Sequence, residues 1–421
     1  MQYPFSASVD SHVDLSSQDA FQQGAPFATF DRMRREDPLA WSEMSNGDVG
    51  FWSVTRHADL LDLNRQADLL SSARGIRMED QSDEEYEARK TFQETDAPHH
   101  RAFRALVSKA FSKSTIAGYE QQIRGIVTDL FDQSIDQGKF DAVEAIARKL
   151  PMQMLAQIIG VPASDAQFLV EKGSVFASHA DPDYTDFVVD KVDTEEYRLL
   201  PFRSPAAVEL FDYANDLLER MEKGEEIGVL NLCLQETSHG TKMTRDEFRN
   251  FFCLLVAAGN DTTRYSLAAT IHSIANHPEL LAQIQRDDFD AWDGATDELI
   301  RWASPTTHFR RTATRDFDYH GKHVKAGDKV LLWFMAGNRD EAAIADPYQI
   351  KFDRARNPHL AFGQGGPHIC LGMWLAKLEG KIVLQEIARR VKTIEQTAPH
   401  SYLRSNFIHG IKSLPVNVVA K

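Results

Sequence analysis

From Arg245 to Ala275 apolar residues recur at helical spacing, and a helix of that length has to cross the middle of whatever the chain folds into. Its most apolar stretch, Phe251 to Ala258, is bounded by Arg249 and Asp261, which fits the centre of a buried helix and not a membrane span. Arg101 to Phe111, Leu210 to Lys223 and Gly372 to Val391 repeat the helical pattern. Strand-like runs are fewer: Gly50 to Val54, Lys329 to Phe334 and Leu414 to Val419. The distribution predicts a mainly α fold with small β-sheets segregated to one side. No repeat or Pro/Gly/Ser linker divides the chain, so residues 1–421 are expected to form a single large domain, with 1–22 a flexible N-terminal segment. Residues 177–205 mix Asp, Pro, Tyr and Phe without periodicity. They read either as an irregular connection or mobile lid over a pocket, or as a surface loop with no role.

Composition matters for what it excludes. A formal charge of -15 argues against an extended nucleic-acid surface, because phosphate binding needs clustered Lys and Arg. Cys233, Cys253 and Cys370 are an odd number at wide spacings, which argues against a disulfide framework or a Cys-cluster zinc site and points to a reducing compartment, the cytoplasm. Met1 to Gln22 has neither a basic n-region with an apolar core nor a run long enough to cross a bilayer, so no membrane anchor is expected.

Three segments carry candidate chemistry. In Ala361-Phe362-Gly363-Gln364-Gly365-Gly366-Pro367-His368-Ile369-Cys370-Leu371-Gly372 the glycines let the backbone bend around a sulfur, and a Cys ahead of a helix gains amide donors and the positive dipole end that stabilise a thiolate. Read as bare sequence, a buried structural Cys competes with this; a dinucleotide fingerprint does not, because its third glycine position is His368. In Ala258-Gly259-Asn260-Asp261-Thr262-Thr263, Gly259 lowers helix propensity and Thr262 can divert a carbonyl, so the long helix can open there for a small molecule. The alternative is a helix with a polar face. Glu298-Leu299-Ile300-Arg301 sets opposite charges on one helical face, a common and uninformative pattern alone.

Together these segments resemble the cytochrome P450s: the Cys loop is similar to the family's haem-binding signature, with Phe, Gly, His, Cys and Gly in order. The likeness runs from Trp52-Ser53-Val54-Thr55-Arg56 to Ser405-Asn406-Phe407. It implies the cytochrome P450 fold and haem b (iron protoporphyrin IX) ligated by Cys370, with Phe362 and Gly372 in the cofactor loop. Phe362 lies one residue farther from Cys370 than in the commonest form, an insertion associated with a bacterial subgroup acting on lipid and sterol-like chains. By the same resemblance Asp261 and Thr262 are the oxygen-activating acid–Thr pair, and Glu298 and Arg301 form a buried lock completed by Arg354, or by Arg356 if a gap is allowed. His100, Arg104, Arg311 and His368 fall where the family holds the haem propionates.

The implied activity is hydroxylation of an apolar organic substrate (terpenoid, steroid or lipid-like) with O2, in a pocket that includes Leu255, Ala258, Thr306, Thr307, His308 and Phe407. No flavin or nicotinamide segment is evident, so electrons are expected from a ferredoxin and an NAD(P)H-dependent ferredoxin reductase, docking on Arg101, Lys109, Lys113, Lys377 and Lys381. Two rivals stay open. A peroxide-driven peroxygenase of the family typically replaces the acid–Thr pair, and a haem sensor or electron carrier leaves that pair without a task.

Overall fold

Capping and periodicity decide where the long central helix lies in the computed structural model, which describes residues 13–421. The elements that build the site are α1 (His99–Ser108), α2 (Lys149–Ile159), α3 (Ala166–Ala177), α4 (Ala206–Glu222), α5 (Arg245–Asn276), α6 (Trp292–Ala303) and α7 (Met373–Arg390). At the start of α5, Thr244 Oγ1 accepts from Glu247 N at 3.2 Å and Thr244 N donates to Glu247 Oε2 at 2.8 Å, a reciprocal capping box. Its 32 residues span about 48 Å at the usual rise. Against this one rod α2, α3, α4, α6 and α7 all pack. That packing explains why its apolar residues occupy almost the whole circumference.

The strands form small separate sheets, of which the one holding Val391–Gln396 packs against α5. A five-stranded sheet contains β1 (Leu39–Ser42), β2 (Phe51–Val54), β3 (Leu70–Ser71), β4 (Phe309–Ala313) and β5 (Lys329–Leu332) in the order β1-β2-β5-β4-β3. Only β2 and β5 run parallel, with Phe51 opposite Lys329 and Val54 opposite Leu332. A three-stranded sheet joins Pro415–Ala420 to Lys139–Asp141 and Val391–Gln396. The architecture is mainly α with small, separate sheets. Two apolar clusters flank the five-stranded sheet, one of them built on Phe21, Phe30, Phe51 and Trp333.

Two expectations change. Residues 13–22, part of the segment expected to be flexible, are held down: Leu15 and Phe21 are buried, and Gln18 Oε1 accepts from Asn406 N at 2.8 Å. The rest of that segment, 1–12, lies outside the described residues. The 177–205 stretch is irregular beyond Ala177, but it is tied to the C-terminal region rather than free. Lys412 Nζ reaches both Asp181 oxygens at 2.9 and 2.8 Å, and Arg404 grips Asp190 at 2.8 and 2.6 Å. Among the described residues no helix is long and apolar enough to cross a membrane.

Candidate active site

Between α5, α1, β4 and the loop ahead of α7 lies a cavity of about 1420 Å³, counting the part open to solvent. Its floor is the Cys loop. Gly363 and Gly365 adopt positive φ of 67° and 96°, conformations that a side chain would strain, and they fold the chain back so that Cys370 N donates to Phe362 O at 2.9 Å. Asn64 Nδ2 pins the loop from outside on Gly363 O and Gln364 O at 3.1 and 3.2 Å. The accessible surface of Cys370 faces the cavity it lines. Burial pushes its thiol up, while the amides of Gly372 and Met373 and the Arg104 guanidinium pull the other way. Neither Cys233 nor Cys253 has amide donors of this kind; burial raises both, Cys233 to about 12, and at Cys253 it outweighs the field of Arg249.

One edge of the cavity carries His100, Arg104 and His368, with the buried guanidinium of Arg311 nearby. The rings of His100 and His368 lie 3.9 Å apart, Arg104 donates to Ile369 O, and Arg311 Nη1 donates to Arg310 O at 2.8 Å. Burial and the neighbouring arginines lower His100 to about 4, and burial with Arg311, His100 and Arg104 lowers His368 to about 2. His100 Nε2 and His368 Nδ1 are buried without a hydrogen-bond partner. Leaving such atoms unpaired costs about 1–3 kcal/mol each. Two carboxylates supplied by a ligand would answer both the field and the orphaned nitrogens, and a single cysteine with amide donors answers a thiophilic metal at the centre of such a ligand. The residues present therefore fit a haem.

On the opposite wall α5 stays continuous through Gly259–Thr263, so the expected local opening of the helix is not present. Thr262 Oγ1 donates to Ala258 O at 2.9 Å on the cavity side, sharing an acceptor that the helix backbone also uses. Asp261 points behind the helix, 1% exposed, with neither carboxylate oxygen hydrogen-bonded. Burial raises it to about 7 against the opposing fields of Arg264 and Arg148.

On α6 Glu298 and Arg301 are fully buried, with Arg301 Nε and Nη2 on the two carboxylate oxygens at 2.8 and 2.8 Å. Arg354 Nε adds a bond to Glu298 Oε1 at 2.9 Å, Lys351 N another at 2.9 Å, and Asn357 Nδ2 reaches Oε2 at 3.2 Å. Arg356 is exposed and takes no part. Burial alone would raise Glu298, but Arg301, the Lys351 amide and Arg354 hold it below the usual carboxylate range.

Of the expected pocket residues, Leu255, Ala258 and Thr306 line the cavity. Thr307 and His308 do not. Thr307 Oγ1 bonds Asn406 O at 2.5 Å, and the buried His308 ring packs 4.6 Å from Trp333 and 5.5 Å from Phe407, so these side chains join the packing behind β4. Phe407 sits in that same packing, 5.7 Å from Phe309, and Phe309 is the one that reaches the cavity. The sequence reading missed most of the apolar wall, including Phe92, Phe251, Leu254 and Phe334. Their helical or strand periodicity marks them as inward-facing, without separating core from cavity.

The sequence model of the family described as Cytochrome P450 matches residues 292–417. Over 96% of its length the chain is 33% identical to the methyl-branched lipid omega-hydroxylase of Mycobacterium tuberculosis, covering 94% of that protein. It is 30% identical to the linalool 8-monooxygenase of Pseudomonas putida, over 97% of this chain and 99% of the relative. A Mycobacterium marinum cytochrome P450 solved in complex with pseudoionone superposes with a TM-score of 0.86 at 30% identity, covering 98% of this chain and 100% of the other.

Proposed function

This chain belongs to the cytochrome P450 family of monooxygenases, and on that premise we propose that it places one atom of O2 on a branched, apolar, terpenoid- or lipid-like substrate, with haem b as cofactor and Cys370 as the thiolate that would hold its iron. The observation that carries the reading is one cavity that joins the amide-held sulfur of Cys370 to the Thr262 hydroxyl, with a buried, unpaired carboxyl behind it. Bound there, haem supplies the redox chemistry by which O2 is split, and the thiolate donates electron density that favours it. The balance is one O2, two electrons, two protons and substrate going to hydroxylated product and water.

The chain's own residues do the rest. His100, Arg104, Arg311 and His368 would hold the two carboxylates of the cofactor, and Phe362 O accepts from the Cys370 amide and closes the loop. Thr262 presents its hydroxyl at the cavity wall and hands on a proton there. Asp261, raised to about 7, replaces that proton at neutral pH, the regime in which a general acid–base is most effective. Glu298, Arg301 and Arg354 tie α6 to the segment that carries Arg354. A peroxide-driven enzyme or a non-catalytic haem carrier would leave Asp261 buried and unpaired for no return.

The substrate class rests on two supports. The wall is apolar, built from Phe92, Phe251, Leu254, Leu255, Phe309 and Phe334, and the relatives named above act on a methyl-branched lipid and on linalool. Electrons come from a ferredoxin and its NAD(P)H-dependent reductase in the cytoplasm. Lys377 and Lys381 are already paired with Asp297 and Asp293 at 2.8 and 2.8 Å, so docking falls to Arg101, Lys109 and Lys113. Lys113 lies 5.0 Å from the Trp374 ring, close to the Cys loop.

Carbon monoxide added to the reduced protein tests the ligand. Thiolate-bound haem gives a strongly red-shifted Soret band, which Cys370→Ser should abolish and Cys233→Ser or Cys253→Ser should leave. Retention of that band in Cys370→Ser would overturn the assignment. Spectral titration with a methyl-branched fatty acid and with linalool tests the substrate class.

A further inference from the structure

Asp261 and Arg264 lie one turn apart on α5, yet the ion pair their spacing permits does not close. Arg264 Nη1 stops 3.9 Å from Asp261 Oδ1, although both side chains are almost completely buried. Arg264 instead donates through Nη2 to the phenol of Tyr184. Its guanidinium lies 5.1 Å from the Tyr184 ring centre and 4.9 Å from that of Tyr265. Tyr184 belongs to the irregular segment after α3, which Lys412 and Arg404 fix in position through Asp181 and Asp190. A buried cation thus has two partners within reach and is committed to the phenol.

We propose that Tyr184 holds Arg264 off Asp261, and that this standoff leaves the Asp261 carboxyl free to take up and give back the proton used at Thr262. The proposal rests on the reading of Asp261 as the proton-delivering acid. A carboxylate gripped by a guanidinium through two hydrogen bonds is held ionised, with its lone pairs occupied. One that feels a nearby cation without being bonded to it can exist in both forms. The groups facing Asp261 are Arg264 and Tyr265 from its own helix, Tyr184 from the irregular segment, and Arg148 from the turn before α2. Arg148 is engaged elsewhere, on Glu144 Oε2 at 2.7 Å and Ser174 Oγ at 3.2 Å. Arg264 is therefore the cation whose position decides the state of Asp261, and Tyr184 decides the position of Arg264. Both are positioning residues.

The two positioning residues should move Asp261 in opposite directions, which a merely structural role would not do. The readout is the infrared band of a protonated carboxyl in the holoenzyme at pH 7, assigned by its loss in Asp261→Asn. Tyr184→Phe releases the guanidinium onto Asp261; a fall of one pKa unit from near neutrality shrinks the band roughly fivefold. Arg264→Gln removes the cation and should enlarge it about twofold. In Tyr184→Phe the peroxide formed per NAD(P)H should rise, and adding Arg264→Gln to Tyr184→Phe should restore the band. Arg264→Lys, which keeps the charge and cannot fork, serves if the Gln variant fails to fold and should leave the band near its original size. If Asp261→Asn uncouples turnover while the Tyr184 and Arg264 variants leave band and coupling unchanged, the standoff is wrong and the acid stands. If Asp261→Asn leaves coupling unchanged, the reading beneath it is wrong.

Discussion

Glu298–Arg301 on α6 and Asp261–Arg264 on α5 are one sequence pattern, an acid and an arginine three residues later, and in both pairs the two side chains are buried. In the first pair two 2.8 Å hydrogen bonds close the contact and the carboxyl is held below its usual range. In the second the nearest approach is 3.9 Å and the carboxyl is raised to about 7. What differs is the supply of other partners. Arg301 spends its remaining donors on Asn338 O, Pro347 O and Gln349 O at 3.0, 2.8 and 3.1 Å, and Glu298 receives three further donors. Asp261 receives none, and a phenol draws its arginine away. Spacing on a helix makes a pair possible; the surroundings decide whether it closes or leaves the carboxyl unpaired.

The largest effect should come from breaking the lock. Glu298→Ala leaves two buried guanidinium groups facing no carboxylate, a loss of about 3–5 kcal/mol, and should appear as failed haem retention or a much lower Tm. A fully loaded, normally stable Glu298→Ala protein would erase the contrast between the pairs. The lock also has a pH signature. Because the folded-state pKa of Glu298 is depressed, its contribution is complete above the ordinary carboxylate range and is lost as pH falls through the depressed value. Acid unfolding of Glu298→Gln should lack that component.

Breaking the other pair should spare the fold. Asp261→Asn should keep haem content and Tm while slowing turnover roughly a hundred- to ten-thousand-fold, the range for a lost acid–base group. A fall in Tm like that of the Glu298 variant would instead make Asp261 a second structural carboxylate. Thr262→Ala is expected to have the smallest effect on electron consumption, sending more of the reducing equivalents to hydrogen peroxide while substrate affinity holds. Unaltered product per NAD(P)H would take the hydroxyl out of the proton route.

How much was legible in the chain follows from the range of each interaction. The Arg245–Ala275 and Gly372–Val391 patterns meet helices Arg245–Asn276 and Met373–Arg390, since long apolar periodicity and caps are local. The sequence predicts strand over Lys329–Phe334, but the strand ends at Leu332 because Phe334–Gly337 turns into a short helix. The sequence places Thr307 and His308 in the cavity, beside Thr306 and Phe309, which do line it; contacts distant in sequence, Asn406 O for Thr307 and the Trp333 ring for His308, turn them away, and no local pattern announces those. Two arginines, Arg354 and Arg356, suited the lock by count; the Lys351 amide fixes the chain where only the first reaches Glu298. Nothing near Tyr184 in sequence announces Arg264, because their contact joins an aperiodic segment to a helix 80 residues away.

The most direct test of the account is the fate of labelled oxygen. With 18O2, a ferredoxin, its reductase and NAD(P)H, the wild-type protein should form a hydroxylated product carrying one 18O atom, with the other oxygen leaving as water. Unlabelled product, or turnover that needs added hydrogen peroxide and ignores the electron carrier, would contradict the assignment of this chain as an O2-using monooxygenase.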